Sequence, residues 1–128
     1  MRALLDTHVF LWWINEDPRL SRTAREFLSD EENDLIFSVA SVWEMAIKIG
    51  SGKLDITGDL GAYVSAYLRE NNMEVLQVNL RHAAGIVELP DHHRDPFDRL
   101  LVAQALAEDV AIVTIDPQVT RYPVETIW

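Results

Sequence analysis

Four acidic residues stand where a run of apolar residues ends or a helical pattern begins, although they are far apart in the chain. They are Asp6, Glu44, Asp98 and Asp116. In a parallel α/β sheet such positions share one edge, the edge at which ligands bind. Ionised carboxylates about 4–5 Å apart would repel one another by roughly 3–4 kcal/mol per pair at an effective dielectric of about 20. A hard cation such as Mg²⁺ or Mn²⁺ removes that cost because it prefers oxygen ligands. The four acids therefore indicate a metal site that acts on phosphates.

Each acid also has a purely structural interpretation. Asp6 and Asp98 could stabilise the starts of helices, and Glu44 stands three residues after Ser41, which is the spacing of a capping box. Asp116 precedes a proline and could simply open a turn. Taken singly, each acid leaves the two interpretations open.

The surroundings of the acids favour the metal. Glu44 is the only acid between residues 35 and 54, a stretch that is otherwise expected to be buried. Asp98 falls on the apolar stripe of its helical pattern and is therefore expected to face inward. Buried carboxylates need partners. The chain has only two lysines, Lys48 and Lys53, and few arginines near these segments, so we expect a metal ion to be the partner.

Five polar residues beside the acids are weaker candidates. Thr7 and Thr114 could position a ligand or a metal-bound water, or could bond to local backbone. His93 and Arg94 lead into the segment that holds Asp98, and either could contact phosphate. Arg99 could contact phosphate or serve as a salt-bridge partner. None of the five points to a single role.

The elements that would carry these residues alternate along the chain. Strand-like apolar runs occupy 3–5, 35–39, 74–78, 110–114 and 124–127, and helical patterns occupy 8–14, 21–29, 41–49, 60–70, 80–89 and 96–108. This alternation predicts an α/β fold with a mainly parallel sheet covered by helices on both faces. No repeat or linker interrupts the pattern, so we expect one domain over residues 1–128.

Composition excludes several classes of function. The chain has no cysteine, which excludes a disulfide framework, a thiolate zinc site and a cysteine nucleophile. The net charge of -10 argues against a generic nucleic-acid binder with a basic face, although this objection weakens if several acids bind metal. No apolar run approaches the ~20 residues of a membrane span, and no cleavable signal pattern is present. We therefore expect a cytoplasmic protein.

The sequence resembles the PIN-domain ribonucleases, and specifically the VapC-type toxins of toxin–antitoxin pairs. Four segments carry the resemblance: 4–8, 38–44, 89–105 and 112–116. The Asp-Pro-Phe-Asp-Arg stretch at 95–99, followed by a helix rich in alanine and glutamine, is its most specific part. The resemblance implies that the acidic site residues are Asp6, Glu44, Asp98 and Asp116, with Thr7 and Thr114 as accessory positions. It also implies a PIN-like three-layer fold with four or five parallel strands, Mg²⁺ or Mn²⁺, a single-stranded RNA substrate, a homodimer and a cognate antitoxin.

Other functions fit less well. A phosphoaspartyl enzyme would need a second aspartate two residues after Asp6, where His8 stands. A receiver domain would need an aspartate after its third strand and a later lysine, but here the strand leads to Asn79 and no lysine follows Lys53. A PIN scaffold that binds RNA or a partner without catalysis stays open, and a metal-dependent nuclease assay would separate it from the enzyme.

Two apolar stripes suggest a second role for part of the surface. Phe10, Trp12 and Trp13 fall in a helical pattern with almost no polar side, and apolar residues line one side of 60–70. We expect most of them in the core. A domain of this length has a limited interior, so some of them are expected at a dimer interface or an antitoxin groove.

Overall fold

The structure is a computed structural model that describes all 128 residues. Its strands are β1 (Arg2–Leu5), β2 (Asp34–Ser38), β3 (Glu74–Leu76), β4 (Ala111–Val113) and β5 (Thr126–Ile127). Its α-helices are α1 (Thr7–Ile14), α2 (Arg22–Ser29), α3 (Val39–Gly50), α4 (Leu60–Glu70), α5 (Leu80–Gly85) and α6 (Pro96–Glu108). The strands form one parallel sheet in the order β3-β2-β1-β4-β5. The predicted α/β class and parallel sheet are confirmed.

The sheet separates two hydrophobic cores, because successive side chains of a strand point to opposite faces. Ala3 and Leu5 of β1 join the core formed with α1, α2, α3 and α4. Leu4 lies between them in sequence and joins the core formed with α6. Helices therefore cover both faces, and the central strands β1 and β4 are buried along most of their length. This burial fixes the carboxyl edge of the sheet in place.

The ends of several elements differ from the prediction. The run predicted as one helix over 80–89 divides into α5 and a short 3-10 turn, Ile86–Glu88. Helix α3 begins at Val39, two residues earlier than predicted, because the Ser38 hydroxyl accepts a hydrogen bond from the Ala40 N–H at 3.0 Å. The proposed capping box between Ser41 and Glu44 is therefore wrong, since both residues lie inside the helix.

Most of the apolar residues on the two stripes are core residues. Phe10 is fully buried, and Trp12, Trp13 and the aromatic residues of α4 pack against the larger core. Exposed apolar residues include Leu80 and Val87 and a group on one side of α3; this side, the α3 face, consists of Trp43, Ala46, Ile47 and Gly50. None of the helices combines the length and the apolar character that crossing a bilayer requires.

Candidate metal centre

The carboxyl edge of the sheet brings the predicted acids into one region. Asp6 directly follows β1, and Asp116 follows β4 by three positions. Glu44 lies on α3, which starts at the end of β2, and Asp98 lies in the first turn of α6. The charges of Asp6, Glu44 and Asp116 all act on the pKa of Asp98, so the four acids are electrostatic neighbours.

Asp6 is buried and well supplied with hydrogen-bond donors. Its Oδ1 accepts from the His8 backbone N–H at 3.0 Å, and its Oδ2 accepts from the Thr114 hydroxyl at 2.8 Å. Burial raises the pKa of Asp6, but the bonds from the His8 side chain, Thr114 and the His8 backbone outweigh it and leave the pKa below its usual value. Asp6 is thus ionised without a cation, and it also caps α1.

Glu44 is buried and has a cationic partner in this chain. Its Oε1 accepts a hydrogen bond from the Thr7 hydroxyl at 2.8 Å, and its Oε2 lies 2.7 Å from Lys48 Nζ. The expectation that no cation of the chain would serve these acids is therefore wrong for Glu44. The pairing has the i,i+4 spacing of helical ion pairs, a signal that the sequence contained. The Ser41 hydroxyl, 2.8 Å from Thr7 Oγ1, completes this buried group.

Asp98 differs from the other three acids because no hydrogen bond to its carboxyl group is formed; its one polar contact is with His93 Nε2 at 3.1 Å, and that nitrogen is hydrogen-bonded to Asp116. Its side chain is 17% exposed. Burial is the largest cause that raises the pKa of Asp98 to about 8. The negative charges of four neighbouring acids add to the effect, and these are Asp6, Asp95, Glu44 and Asp116. Near neutral pH the Asp98 carboxyl group therefore retains a proton, which it would release on meeting a cation.

His93 reaches the same place from the loop before α6. Its Nε2 lies 2.7 Å from Asp116 Oδ2 and 3.1 Å from Asp98 Oδ2. Candidate ligand atoms of these three residues all lie within 4.8 Å of one another, and Asp6 and Glu44 are outside this tight group. The sequence indicated His93 only weakly. Its position depends on the path of the loop, which periodicity does not reveal.

Two further accessory residues were predicted, Arg94 and Arg99, and only Arg99 makes contacts that indicate its role. The Arg99 guanidinium donates to the backbone carbonyls of Pro90 and Ile86 and lies 3.8 Å from Asp91. These contacts favour the salt-bridge interpretation of Arg99 and a role in holding the loop. Arg94 is exposed and stays a prediction as a phosphate contact.

Tyr122 also holds this loop, and nothing in the sequence pattern singled it out. It is buried, and its hydroxyl oxygen accepts hydrogen bonds from the backbone N–H groups of His92 and His93 at 3.2 and 2.9 Å. The loop that carries His93 is therefore anchored to the segment that follows β4.

The donor set fits a hard divalent cation. Carboxylate and hydroxyl oxygens dominate it, as Mg²⁺ and Mn²⁺ prefer. The raised pKa of Asp98 reflects burial together with uncompensated negative charge, which is the condition that a cation relieves. The geometry is chemically suited to binding a divalent cation.

Comparisons with known proteins show which family the chain resembles. The model of the PIN domain family matches residues 3–125. Ribonuclease VapC22 of Mycobacterium tuberculosis (strain ATCC 25618 / H37Rv) is 30% identical over 133 residues, which cover 98% of each chain. A crystal structure of VapBC2 from Rickettsia felis, bound to a DNA fragment from their promoter, matches with a TM-score of 0.71 at 20% identity and covers 100% of both chains. VapBC-1 from nontypeable Haemophilus influenzae matches with a TM-score of 0.63 at 16% identity, covering 98% of this chain and 96% of that one.

Proposed function

The chain belongs to the PIN domain family, and on that premise we propose that it is a metal-dependent endoribonuclease. It hydrolyses phosphodiester bonds of single-stranded RNA in the cytoplasm and acts as the toxin of a toxin–antitoxin pair. The observation that carries the proposal is Asp98, a carboxyl group that accepts no hydrogen bond and is crowded by other acids. Such a group is costly unless a cation binds there. The relative that is named a ribonuclease supports the choice of RNA.

We assign Asp6, Glu44 and Asp98 to one Mg²⁺ or Mn²⁺, with Asp116 completing that site or helping to hold a second ion. When bound, the cation lowers the pKa of water and stabilises negative charge on a phosphoryl group. The protein's own part is to hold the ligands. Thr114 donates to Asp6 and keeps it ionised and oriented, while Asp98 releases its proton as the cation enters.

The buried hydroxyls on the other side of the site orient Glu44. Thr7 has a single hydroxyl proton and lies 2.8 Å from both Glu44 Oε1 and Ser41 Oγ. When that proton goes to Glu44, the Ser41 hydroxyl donates to Thr7 in turn. Lys48 holds the second carboxylate oxygen of Glu44 and balances its charge until a cation arrives.

Two protein partners belong to the proposal. The neighbouring solved structures are VapBC complexes, and by analogy we propose that a cognate antitoxin inhibits this chain. We also propose a homodimer, for which the exposed α3 face is the main support, since Trp43 and Ile47 are 59% and 49% exposed. Light scattering at micromolar concentration is the measurement that checks for the dimer.

Incubation with single-stranded RNA tests the enzyme proposal. We expect cleavage with Mg²⁺ or Mn²⁺, none in EDTA, and none by a folded Asp6→Asn variant. Cleavage that persists in EDTA would refute the metal dependence. RNA that is bound but never cut, under any divalent cation, would instead favour the non-catalytic binding module.

A further inference from the structure

We propose that His93 is a fixed hydrogen-bond donor that positions the acids, and that it is not a ligand of the cation. This inference rests on the proposed function, because it concerns the same site. A histidine with two carboxylates within 4.8 Å would ordinarily indicate a nitrogen ligand and a transition metal. The hydrogen bonds around the ring exclude that assignment.

The tautomer of His93 is determined by the backbone N–H of Asp95. The Asp95 backbone N–H lies 3.0 Å from His93 Nδ1 and can only donate. Nδ1 must therefore present its lone pair, so the neutral ring carries its proton on Nε2. Nε2 is the atom that faces the carboxylates of Asp116 and Asp98. A nitrogen that carries a proton has no lone pair for a metal.

Ligating histidines show the opposite arrangement. Their second ring nitrogen donates an N–H to a carboxylate, a carbonyl or water, and this bond fixes the tautomer that leaves the first nitrogen free. In this chain the second nitrogen of His93 accepts from Asp95. Ligation through Nε2 would move the ring proton to Nδ1 and break that bond. The Nδ1–H and the Asp95 N–H, both donors, would then face each other.

The surrounding structure keeps the ring in this position. The Tyr122 hydroxyl accepts the backbone N–H of His93 at 2.9 Å, and the Arg99 guanidinium donates to the Pro90 carbonyl at 3.1 Å. The His93 side chain is only 15% exposed. The N–H is thus presented to Asp116 by a loop that is anchored at both ends.

Two consequences follow for cation binding. The N–H of His93 restrains Asp116 beside Asp98, so removing it should weaken cation binding by about 10–100-fold. The site then consists only of oxygen ligands. Bound Mn²⁺ should show no coupling to a histidine nitrogen, although the ring lies against two of the ligands.

Pulsed electron paramagnetic resonance on the Mn²⁺-loaded protein tests this assignment directly. We expect no directly bound nitrogen in the wild type, and Mn²⁺ affinity reduced at least tenfold in His93→Ala. We expect His93→Gln, which retains an N–H donor, to bind within about threefold of the wild type. His92→Ala is the matched control, because the His92 ring contacts Tyr122 rather than the acids and alanine keeps the backbone N–H that bonds to the Tyr122 hydroxyl, and it should bind Mn²⁺ as the wild type does.

Three results would overturn the proposal: a nitrogen coupling that disappears in His93→Ala, an unchanged affinity in that variant, or no Mn²⁺ binding by the wild type. Nitrogen NMR of the metal-free protein at pH 8 gives a second readout, and an Nδ1-protonated neutral ring there would also overturn it. RNA cleavage by the same samples separates the two proposals. Oxygen-only Mn²⁺ binding without cleavage would remove the nuclease function and leave the role of His93 intact.

Discussion

Asp6 and Asp98 lie at the same edge of one sheet, yet their pKa values move in opposite directions. Asp6 is 5% exposed and its pKa is lowered, whereas the pKa of Asp98 is raised to about 8. Burial raises both values and is the largest single cause for each. The difference lies in the hydrogen bonds, since Asp6 accepts from the His8 N–H and the Thr114 hydroxyl and Asp98 accepts none.

This contrast divides the site into two parts with different requirements. The strand side, with Asp6 held by Thr114, is complete in the folded chain. The helix side, with Asp98 at the start of α6, holds a carboxyl group whose ionised form the protein does not stabilise. Groups whose environments push their pKa values apart often have different tasks in a site. Here we infer that Asp6 is a preformed ligand and that Asp98 is the group whose ionisation depends on the cation.

The largest expected effect comes from removing the charge on the helix side. Asp98→Asn should reduce RNA cleavage by about 10³-fold or more, because the variant loses an anionic ligand whose electrostatic contribution is of the size of a major catalytic interaction. Initial rates at saturating Mg²⁺ measure this. Asp55→Asn is the matched control, since Asp55 is exposed and far along the chain from the site residues, and it should cleave at the wild-type rate. An Asp98→Asn variant as fast as this control would contradict the assignment.

The same substitution should change stability in the opposite direction. Folding raises the pKa of Asp98 from its ordinary value of 3.8 to about 8. The folded state therefore binds more protons than the unfolded state within that window, and the free energy of unfolding falls as pH rises through it. Without metal, Asp98→Asn should be more stable than the wild type at pH 8 by up to about 5 kcal/mol and nearly equal to it at pH 4. Urea unfolding at both pH values measures this. A constant difference would refute the raised pKa.

On the strand side, Thr114→Val tests the donor that keeps Asp6 ionised. The substitution preserves shape but removes the hydroxyl that donates to Asp6 and accepts the Asp116 N–H at 3.0 Å. Leaving buried polar groups without partners should cost about 1–3 kcal/mol, measured by urea unfolding at pH 7. Thr120→Val, at an exposed threonine, should cost less than about 0.5 kcal/mol. Equal costs for the two variants would mean that Asp6 does not depend on its donor.

A smaller effect is expected at Lys48, whose ammonium group lies 2.7 Å from Glu44. Lys48→Gln removes a positive charge that competes with a divalent cation, so Mn²⁺ affinity should rise by about fivefold. Calorimetric titration measures this, with Lys53→Gln as the control at an exposed lysine. Weaker binding in Lys48→Gln would show that the lysine assists the site rather than competing with the cation.

The sequence predicted those site residues that lie at the ends of strands and helices. Asp6 lies at the end of a strand and Asp98 at the start of a helix, and both boundaries can be predicted from hydrophobic periodicity and capping residues. The structure places the two acids as electrostatic neighbours. The contacts of Glu44 could be predicted from the sequence only in part. Its pairing with Lys48 was encoded in the i,i+4 spacing, but its bond to Thr7 spans 37 positions and requires the packed fold.

His93 illustrates the other limit of sequence reasoning. Its orientation depends on a bond from Asp95, two residues later, and on Tyr122, 29 residues later. No local pattern specifies that loop, because its hydrogen bonds are made between side chains and backbone rather than by a regular element. The start of β5, predicted at residue 124 and found at Thr126, and the end of the helix predicted over 80–89 were wrong for a similar reason, since tertiary contacts rather than periodicity decide these boundaries.

Proton release on cation binding tests the central claim most directly. If Asp98 is protonated in the metal-free protein and ionises when it binds the cation, calorimetric titration of Mn²⁺ at pH 7 should release about one proton per ion. Comparing buffers with different heats of ionisation gives this number. The same titration of Asp98→Asn should release close to none. Mn²⁺ binding without proton release from the wild type, or with the same release from the variant, would contradict the account.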